Sequence, residues 1–146
     1  MSYHAGFVGQ GIEIMDLLQK DIDKTRNPRI LIPIMHLYLE RIFDLVLTKY
    51  WDESSNVMGE KSGYSEKLKI LFARNLIDKE RFETLRAINS IRNEFAHSFT
   101  PNNKKIQKLT LKIKGHGFTP KRHWIERYIA GCIDSMSVLC TFLEEK

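Results

Sequence analysis

Cysteine is scarce in this sequence, since Cys132 and Cys140 are the only two among 146 residues. They lie eight positions apart on one predicted helix, and that many helical residues span roughly 12 Å. A disulfide requires Cα atoms no more than about 7 Å apart, so a bridge between them is excluded while the helix is intact. We predict two reduced, mostly buried thiols, with a metal or redox pair as the alternative.

Long apolar runs are also missing, because none approaches the roughly 18 residues that a membrane-spanning helix needs. The longest candidate, ILIPIMHLYLERIFDLVL, is interrupted by His36, Glu40, Arg41 and Asp44. The N-terminal MSYHAGFVGQG has neither a basic stretch nor a cleavable apolar segment. We therefore expect a cytoplasmic protein with no membrane partner.

Repeats, low-complexity tracts and Gly/Ser linkers are absent, and 146 residues is the length of one ordinary domain. We expect a single helical domain over residues 1–146. No Gly-rich phosphate loop, nucleophile elbow or zinc-protease motif occurs. His116 and His123 are surrounded by lysine, which repels metal cations, so no metal or cofactor is predicted and both are phosphate-contact candidates.

Acidic residues are missing between Glu94 and Glu126, and the basic residues inside this segment more than account for the net charge of +5. Concentrated positive charge suits a polyanion such as RNA. A solvated basic loop is the alternative. The candidate RNA-binding residues are Lys104, Lys105, Lys108, Lys112, Lys114, Lys121 and Arg122.

Apolar residues recur at helical spacing along most of the chain and predict about five helices. Asp78 and Thr119 are predicted N-caps, as is either Ser62 or Ser65. With mostly short loops, this pattern predicts an all-α antiparallel bundle. The stripes run from Ile12 to Ile22, Ile30 to about Trp51, Tyr64 to Asn75, Asp78 to Phe95, and Thr119-Pro120 almost to the end.

One stretch, KLTLKIKGHGF, breaks the helical spacing. Leu109, Leu111 and Ile113 alternate with polar residues, which is the period of a strand, and two glycines follow. The pattern predicts a short β-like arm or edge hairpin near residues 106–114.

The stretch SIRNEFAHSFTP, residues 90 to 101, places several polar side chains at the end of a predicted helix. On a regular helix Arg92 and His97 are about 140° apart round the axis, whereas Asn93 and His97 share a face. Convergence of all three requires the helix to loosen near Ala96 or the arginine stem to curl round.

These residue types suit the cleavage of RNA by its own 2′-hydroxyl. Arginine presents a planar fork of donors that matches phosphate, histidine exchanges protons near neutrality, and asparagine can orient either of them. One histidine supplies half of the proton transfers, so a two-fold dimer, a tyrosine or a water must supply the rest. The alternative for His97 is a helix-end histidine bonded to a carbonyl.

The hexapeptide RNEFAH, residues 92 to 97, resembles the R-N-x-x-x-H signature of the HEPN superfamily. HEPN proteins are small helical bundles that dimerise and are often metal-independent ribonucleases in toxin–antitoxin, abortive-infection and CRISPR defence systems. A wider stretch, GYSEKLKILFARNLIDKERFETLRAINSIRNEFAHSF, is similar to the mannitol operon repressor (MltR) family over roughly residues 62 to 99. The sequence departs from the MltR pattern after Pro101, where the basic segment favours an RNA-facing role over a mannitol-specific one.

The resemblance implies a homodimer with a composite cleft at its axis and an antitoxin or regulatory protein as a further partner. In that cleft Arg92 would clamp phosphate, and His97 would act as acid or base. Asn93 would orient one of these two side chains. HEPN proteins often carry an acidic residue on an early helix, and Glu40 matches by position. It would pair with Arg92, and the alternative is a buried structural ion pair between two helices.

Two functions follow from these patterns. The first is a metal-independent endoribonuclease of HEPN type, a toxin or phage-defence effector that cuts RNA by transesterification at a dimer interface. The alternative is a non-catalytic MltR-like transcriptional regulator or interaction module, in which Arg92 and His97 only build the dimer seam. The sequence contains no convincing helix-turn-helix pair, so sequence-specific DNA binding is not favoured.

Overall fold

A computed structural model describes residues 9–51, 63–114 and 123–145, and within these ranges the chain forms helices and no strand. The predicted all-α bundle is confirmed, with six described helices in place of about five. The helices are α1 (Gln10–Ile22), α2 (Pro28–Tyr50), α3 (Tyr64–Ala73), α4 (Lys79–His97), α5 (Asn103–Thr110) and α6 (Trp124–Glu144).

Side-chain caps explain where several helices begin. Asp78 accepts a 2.7 Å hydrogen bond from the Arg81 N–H at the start of α4, which confirms the predicted cap. The serine cap predicted for α3 is wrong, because Gly63 is the N-cap and no side chain bonds there; Ser62 lies outside the described residues. Asn27 caps α2 in the same way as Asp78 caps α4.

The last helix begins later than predicted. His123 is the N-cap of α6, and its Nδ1 accepts a 3.3 Å hydrogen bond from the Ile125 N–H. Thr119 and Pro120, where we expected the helix to start, lie outside the described residues.

The β-like arm predicted near residues 106–114 is wrong, because Asn103–Thr110 is helix α5. Its N-cap Asn102 accepts a 3.1 Å hydrogen bond from the Lys105 N–H. Ile106, Thr110 and Ile113 are buried while Leu111 is 51% exposed, so burial follows helical steps of three and four residues. The alternation of apolar residues was therefore a coincidence of composition.

The core lies between α2 and α6, with side chains of the other long helices packed round them. Lys49 near the end of α2 is buried, and its ammonium group donates to the carbonyls of Phe142 and Glu145 at the end of α6. A cation there complements the partial negative charge of the helix terminus. Tyr128 belongs to the core, and Trp124 packs against it.

Parts of the predicted stripes face solvent. Ile12, Ile30 and Leu37 are 60%, 51% and 66% exposed. The first half of α2, from Ile30 to Leu39, is apolar on nearly all sides, so its period alone did not reveal which side is buried. The side that faces the core carries Leu31, Met35, Leu39, Ile42, Phe43 and Val46.

Both cysteines are free and buried, which confirms the prediction of reduced thiols. Burial raises the pKa of the Cys140 thiol to about 11 and that of Cys132 further. Both thiols are therefore protonated and unreactive near neutral pH. None of the described helices combines the length and the apolar character needed to cross a bilayer.

Candidate functional site

Helices α2 and α4 border a groove of about 280 Å³. Its polar side chains are two arginines and one histidine, and its walls are otherwise apolar. This combination suits a ligand that is anionic at one end and apolar at the other. The lining residues are Arg29, Ile32, Pro33, His36, Leu37, Arg92, Phe95 and Ala96.

Arg92 reaches the groove from the last third of α4. It is half-buried, and its Nη1 donates a 3.2 Å hydrogen bond to Oδ1 of Asn93. Because α4 stays helical as far as His97, Arg92 and His97 lie on different sides of the helix, as the spacing requires. His97 is exposed and is not one of the described residues that line the groove.

The imidazole that shares the groove with Arg92 is His36 of α2. Its ring stacks on that of Tyr64 with the centroids 5.0 Å apart. The Tyr64 hydroxyl donates a 2.8 Å hydrogen bond to the Leu85 carbonyl, which ties this aromatic pair to α4. The orientation of the His36 ring is therefore set by packing against α3.

His36 has no close hydrogen-bond partner among the described residues. Its Nδ1 is buried and unpaired, and its Nε2 lies 3.8 Å from Oε1 of Glu40, beyond ordinary hydrogen-bond length. Burial lowers the pKa of the imidazole, and the neighbouring Arg92 and Lys67 lower it further, against the opposing effect of Glu40. The ring is neutral near pH 7.

Glu40 does not form the predicted ion pair with Arg92 in the part of the chain that the structure describes. It lies one helical turn after His36, so its carboxylate faces the imidazole. The mechanistic consequence is that the Arg92 guanidinium keeps most of its N–H donors for a ligand in the groove.

Glu94, inside the RNEFAH motif, joins α4 to α5. Its Oε1 accepts a 3.0 Å hydrogen bond from the Asn102 N–H, and its Oε2 lies 3.1 Å from the Lys105 ammonium. The hydrogen bond from Asn102 and the contact with Lys105 lower the pKa of this carboxyl group. The basic helix α5 is thereby held next to the end of the motif.

The predicted RNA-binding lysines are exposed wherever the structure describes them, and Lys105 is engaged by Glu94. Lys121, Arg122 and His116 lie outside the described residues, and His123 is occupied as the cap of α6. The exposed ones are Lys104, Lys105, Lys108, Lys112 and Lys114.

Exposed apolar residues line the groove or lie in the segment bonded to its Arg29, and we call them the apolar rim: Pro33, Leu37, Ala96 and Phe99. Phe99 is 98% exposed. Its carbonyl accepts a hydrogen bond from the Arg29 guanidinium, which holds this segment beside the start of α2. Clustered exposed apolar groups are typical of an interaction surface.

A larger concavity of about 540 Å³ lies between α1 and α6. Its charged side chains are the carboxylates of Asp16, Glu144 and Glu145, which repel an anion. Glu144 also accepts hydrogen bonds of 3.1 and 3.0 Å from the Gly9 N–H. The groove between α2 and α4 is therefore the better candidate for RNA.

Comparisons of this chain with protein-family models, with curated proteins and with solved structures find no match. The resemblance to HEPN and MltR proteins therefore stays a prediction that depends on the motif residues themselves.

Sequence reasoning missed His36 and Arg29. The available signal was the position of His36 four residues before Glu40, which places both on one face of α2. Nothing local to either residue indicates that α4 brings Arg92 to the same groove, since that contact is a product of packing.

Proposed function

We propose that this chain is a metal-independent endoribonuclease of HEPN type that acts as a cytoplasmic homodimer in a toxin or phage-defence system. The observation that supports it best is the position of Arg92, whose guanidinium lines an open groove with an imidazole and has donors to spare. Such a group can stabilise the charge that develops on a phosphate under attack.

In this reaction a base removes the proton of the 2′-hydroxyl, and the oxygen attacks the adjacent phosphorus. The bond to the 5′-oxygen then breaks, and an acid protonates that oxygen. The products are a 2′,3′-cyclic phosphate and a 5′-hydroxyl, so the step consumes no water and does not require a metal ion. Positioned acid–base groups contribute about 10²–10⁴-fold in rate.

The roles fall to residues of the motif. Arg92 clamps the phosphate, Asn93 orients the guanidinium through the hydrogen bond it accepts, and His97 transfers protons. The exposed position of His97 at the end of α4 suits a group that enters the groove of a partner subunit. Glu40 acts indirectly, through the His36 imidazole that its carboxylate faces. The exposed lysines of α5 hold the RNA backbone.

The second candidate is a non-catalytic, MltR-like regulator or interaction module. The apolar rim favours it, because exposed Leu37 and Phe99 suit a protein partner as well as a second subunit. In this alternative an antitoxin or regulatory protein covers the groove, and Arg92 contributes only to the seam.

One assay separates the two functions. Purified protein is incubated with mixed RNA in EDTA, beside Arg92→Ala, His97→Ala and the matched control Arg86→Ala, which removes an exposed arginine on the same helix. We expect the first two variants to lose at least about 10²-fold in cleavage rate and the control to lose none.

Circular dichroism checks that all variants keep the wild-type helicity before their rates are compared. Wild-type protein that cleaves no RNA at any salt concentration would contradict the enzyme and favour the interaction module. Cleavage that survives equally in Arg92→Ala and His97→Ala would also contradict it, by assigning the activity to other groups or to a contaminant.

A further inference from the structure

We propose that His36 and Arg92 together form an anion subsite within each protomer, which holds one phosphate group of single-stranded RNA. The inference rests on the proposed function and adds a residue that no part of the HEPN motif contains. His36 is assigned as a binding residue, distinct from the proton-transfer role of His97.

The first support is the set of unsatisfied polar atoms. His36 is 8% exposed, yet neither ring nitrogen has a hydrogen-bond partner at normal distance among the described residues. A buried polar group without a partner is destabilising unless something else satisfies it. Arg92 lines the same groove and donates only to Asn93 within the described residues.

The second support is the local charge. Arg29, Arg92 and Lys67 are cationic, while Glu40 and Asp44 are anionic, and Asp44 lies 2.9 Å from Lys67. With His36 neutral, these groups leave one net positive charge at the groove. An anion that binds there would favour protonation of the imidazole, which adds a second positive charge.

The third support is the rest of the environment of His36. Tyr64, which stacks on the ring, has a pKa raised well above 10 by burial, so it stays neutral and uncharged beside the site. Near neutral pH, His36 is therefore the group at this site that takes up a proton when a phosphate binds.

The shape of the groove selects a single strand. A volume of about 280 Å³ between α2 and α4 has room for about one nucleotide unit. The apolar walls of Ile32, Leu37 and Phe95 can cover an unstacked base or a sugar. In a duplex the bases are stacked and their faces are inaccessible, so only the single strand can enter.

The test measures binding of a fluorescent 2′-O-methyl RNA oligonucleotide, which lacks the attacking hydroxyl and cannot be cleaved. His36→Phe retains a ring against Tyr64 but removes both nitrogens, and Tyr38→Phe is the control because it removes a polar group from α2 outside the groove. We expect His36→Phe to weaken binding about tenfold and the control to leave it unchanged.

A second measurement uses the wild-type protein and so does not depend on the folding of a variant. The imidazole resonances of His36 are followed by NMR during pH titration, with and without the oligonucleotide. We expect the pKa of His36 to lie below about 6.5 in the free protein and to rise in the complex. A histidine with only a structural role would titrate identically in both.

Unchanged binding by His36→Phe, or an unchanged His36 titration, overturns the subsite. Equal binding of a 2′-O-methyl duplex overturns the preference for a single strand. If His36→Phe weakens binding and the His36 titration shifts, but the wild type cleaves no RNA, the subsite stands and the ribonuclease fails. If RNA is cleaved but His36→Phe binds normally, the ribonuclease stands and the subsite fails.

Discussion

Gly131 lies where the segment after α5 crosses α6. A Cβ atom at this position would lie 2.4 Å from Cγ2 of Ile113, well inside van der Waals contact. Cγ2 is attached directly to the β-carbon, so it cannot move away without a shift of the Ile113 backbone or a change of rotamer. The absence of a side chain at position 131 is therefore what allows this close approach.

We predict that Gly131→Ala destabilises the protein by about 1–2 kcal/mol. Overpacking costs about 1–3 kcal/mol, and the better helix propensity of alanine returns up to about 1 kcal/mol. Chemical denaturation of both proteins measures the difference. Gly63→Ala is the steric control, because nothing lies within 4 Å of its added Cβ, so any loss there reflects only the weaker N-cap that alanine provides for α3.

The same change in an Ile113→Ala background tests the cause. Without the Ile113 side chain, Gly131→Ala should be neutral or stabilising. A higher midpoint of denaturation for Gly131→Ala in the wild-type background would disprove the clash.

The element that positions the basic surface is α5, and its attachment to α4 depends on Glu94. The carboxylate accepts from the Asn102 N–H at 3.0 Å and from the Ser98 hydroxyl at 3.4 Å, and it contacts Lys105. One side chain thus joins the end of one helix to the beginning of the next. Its ionised form is the one that the fold stabilises.

We predict that α5 loosens in acid. The pKa of Glu94 is lowered on folding, so its stabilising contribution is complete above the usual carboxyl value of 4.5 and is lost as the pH falls through the lowered value. The protection factors of the α5 amides, which compare their exchange rates with those of an unstructured chain at the same pH, should fall over that range in the wild type. In Glu94→Gln the protection factors should already be lower at neutral pH and change less on acidification.

Glu83→Gln serves as the control, because Glu83 lies on the same helix and its side chain contacts only the exposed Arg86 at 3.7 Å among described ion pairs. Identical pH profiles for the wild type and Glu94→Gln would show that the contact between α4 and α5 does not depend on this carboxylate.

For the whole molecule, the apolar rim predicts self-association. A stable dimer buries about 800 Å² on each subunit, usually with an apolar centre. Leu37 and Phe99 are the most exposed large apolar side chains described. Leu37 lines the groove, and the Phe99 carbonyl accepts a hydrogen bond from Arg29, which also lines it. A two-fold contact across this surface would bring two grooves together.

We predict that the wild-type protein sediments as a dimer and that Leu37→Lys raises the dissociation constant at least about tenfold, because a buried lysine charge at the centre would be unpaired. Leu17→Lys is the control, since Leu17 is 53% exposed on α1 and lies outside the rim. Analytical ultracentrifugation over a range of concentrations measures both. A monomeric wild type, or equal dissociation of the two variants, would contradict the dimer.

Local features of the sequence determined the class of the fold. Asp78 begins α4 as predicted because a cap acts on backbone groups within three residues of it, and the stripes predict helices because their period is that of one helix. The same reasoning failed at α5, because three alternating apolar residues were interpreted as a strand. The structure instead has a helix that Asn102 caps and that buries Ile106 and Thr110. A short segment offers too few residues to separate the two periods.

Tertiary structure alone decided the composition of the groove. The order RNEFAH places Arg92 and His97 on different sides of α4, and this could be worked out from the helical repeat. Which imidazole then faces Arg92 depends on which side of α2 packs against α4, and the first half of α2 is apolar nearly all round. Packing against α3 and α6 selected the side that carries His36, because burial is a property of the assembled helices and no single helix specifies it.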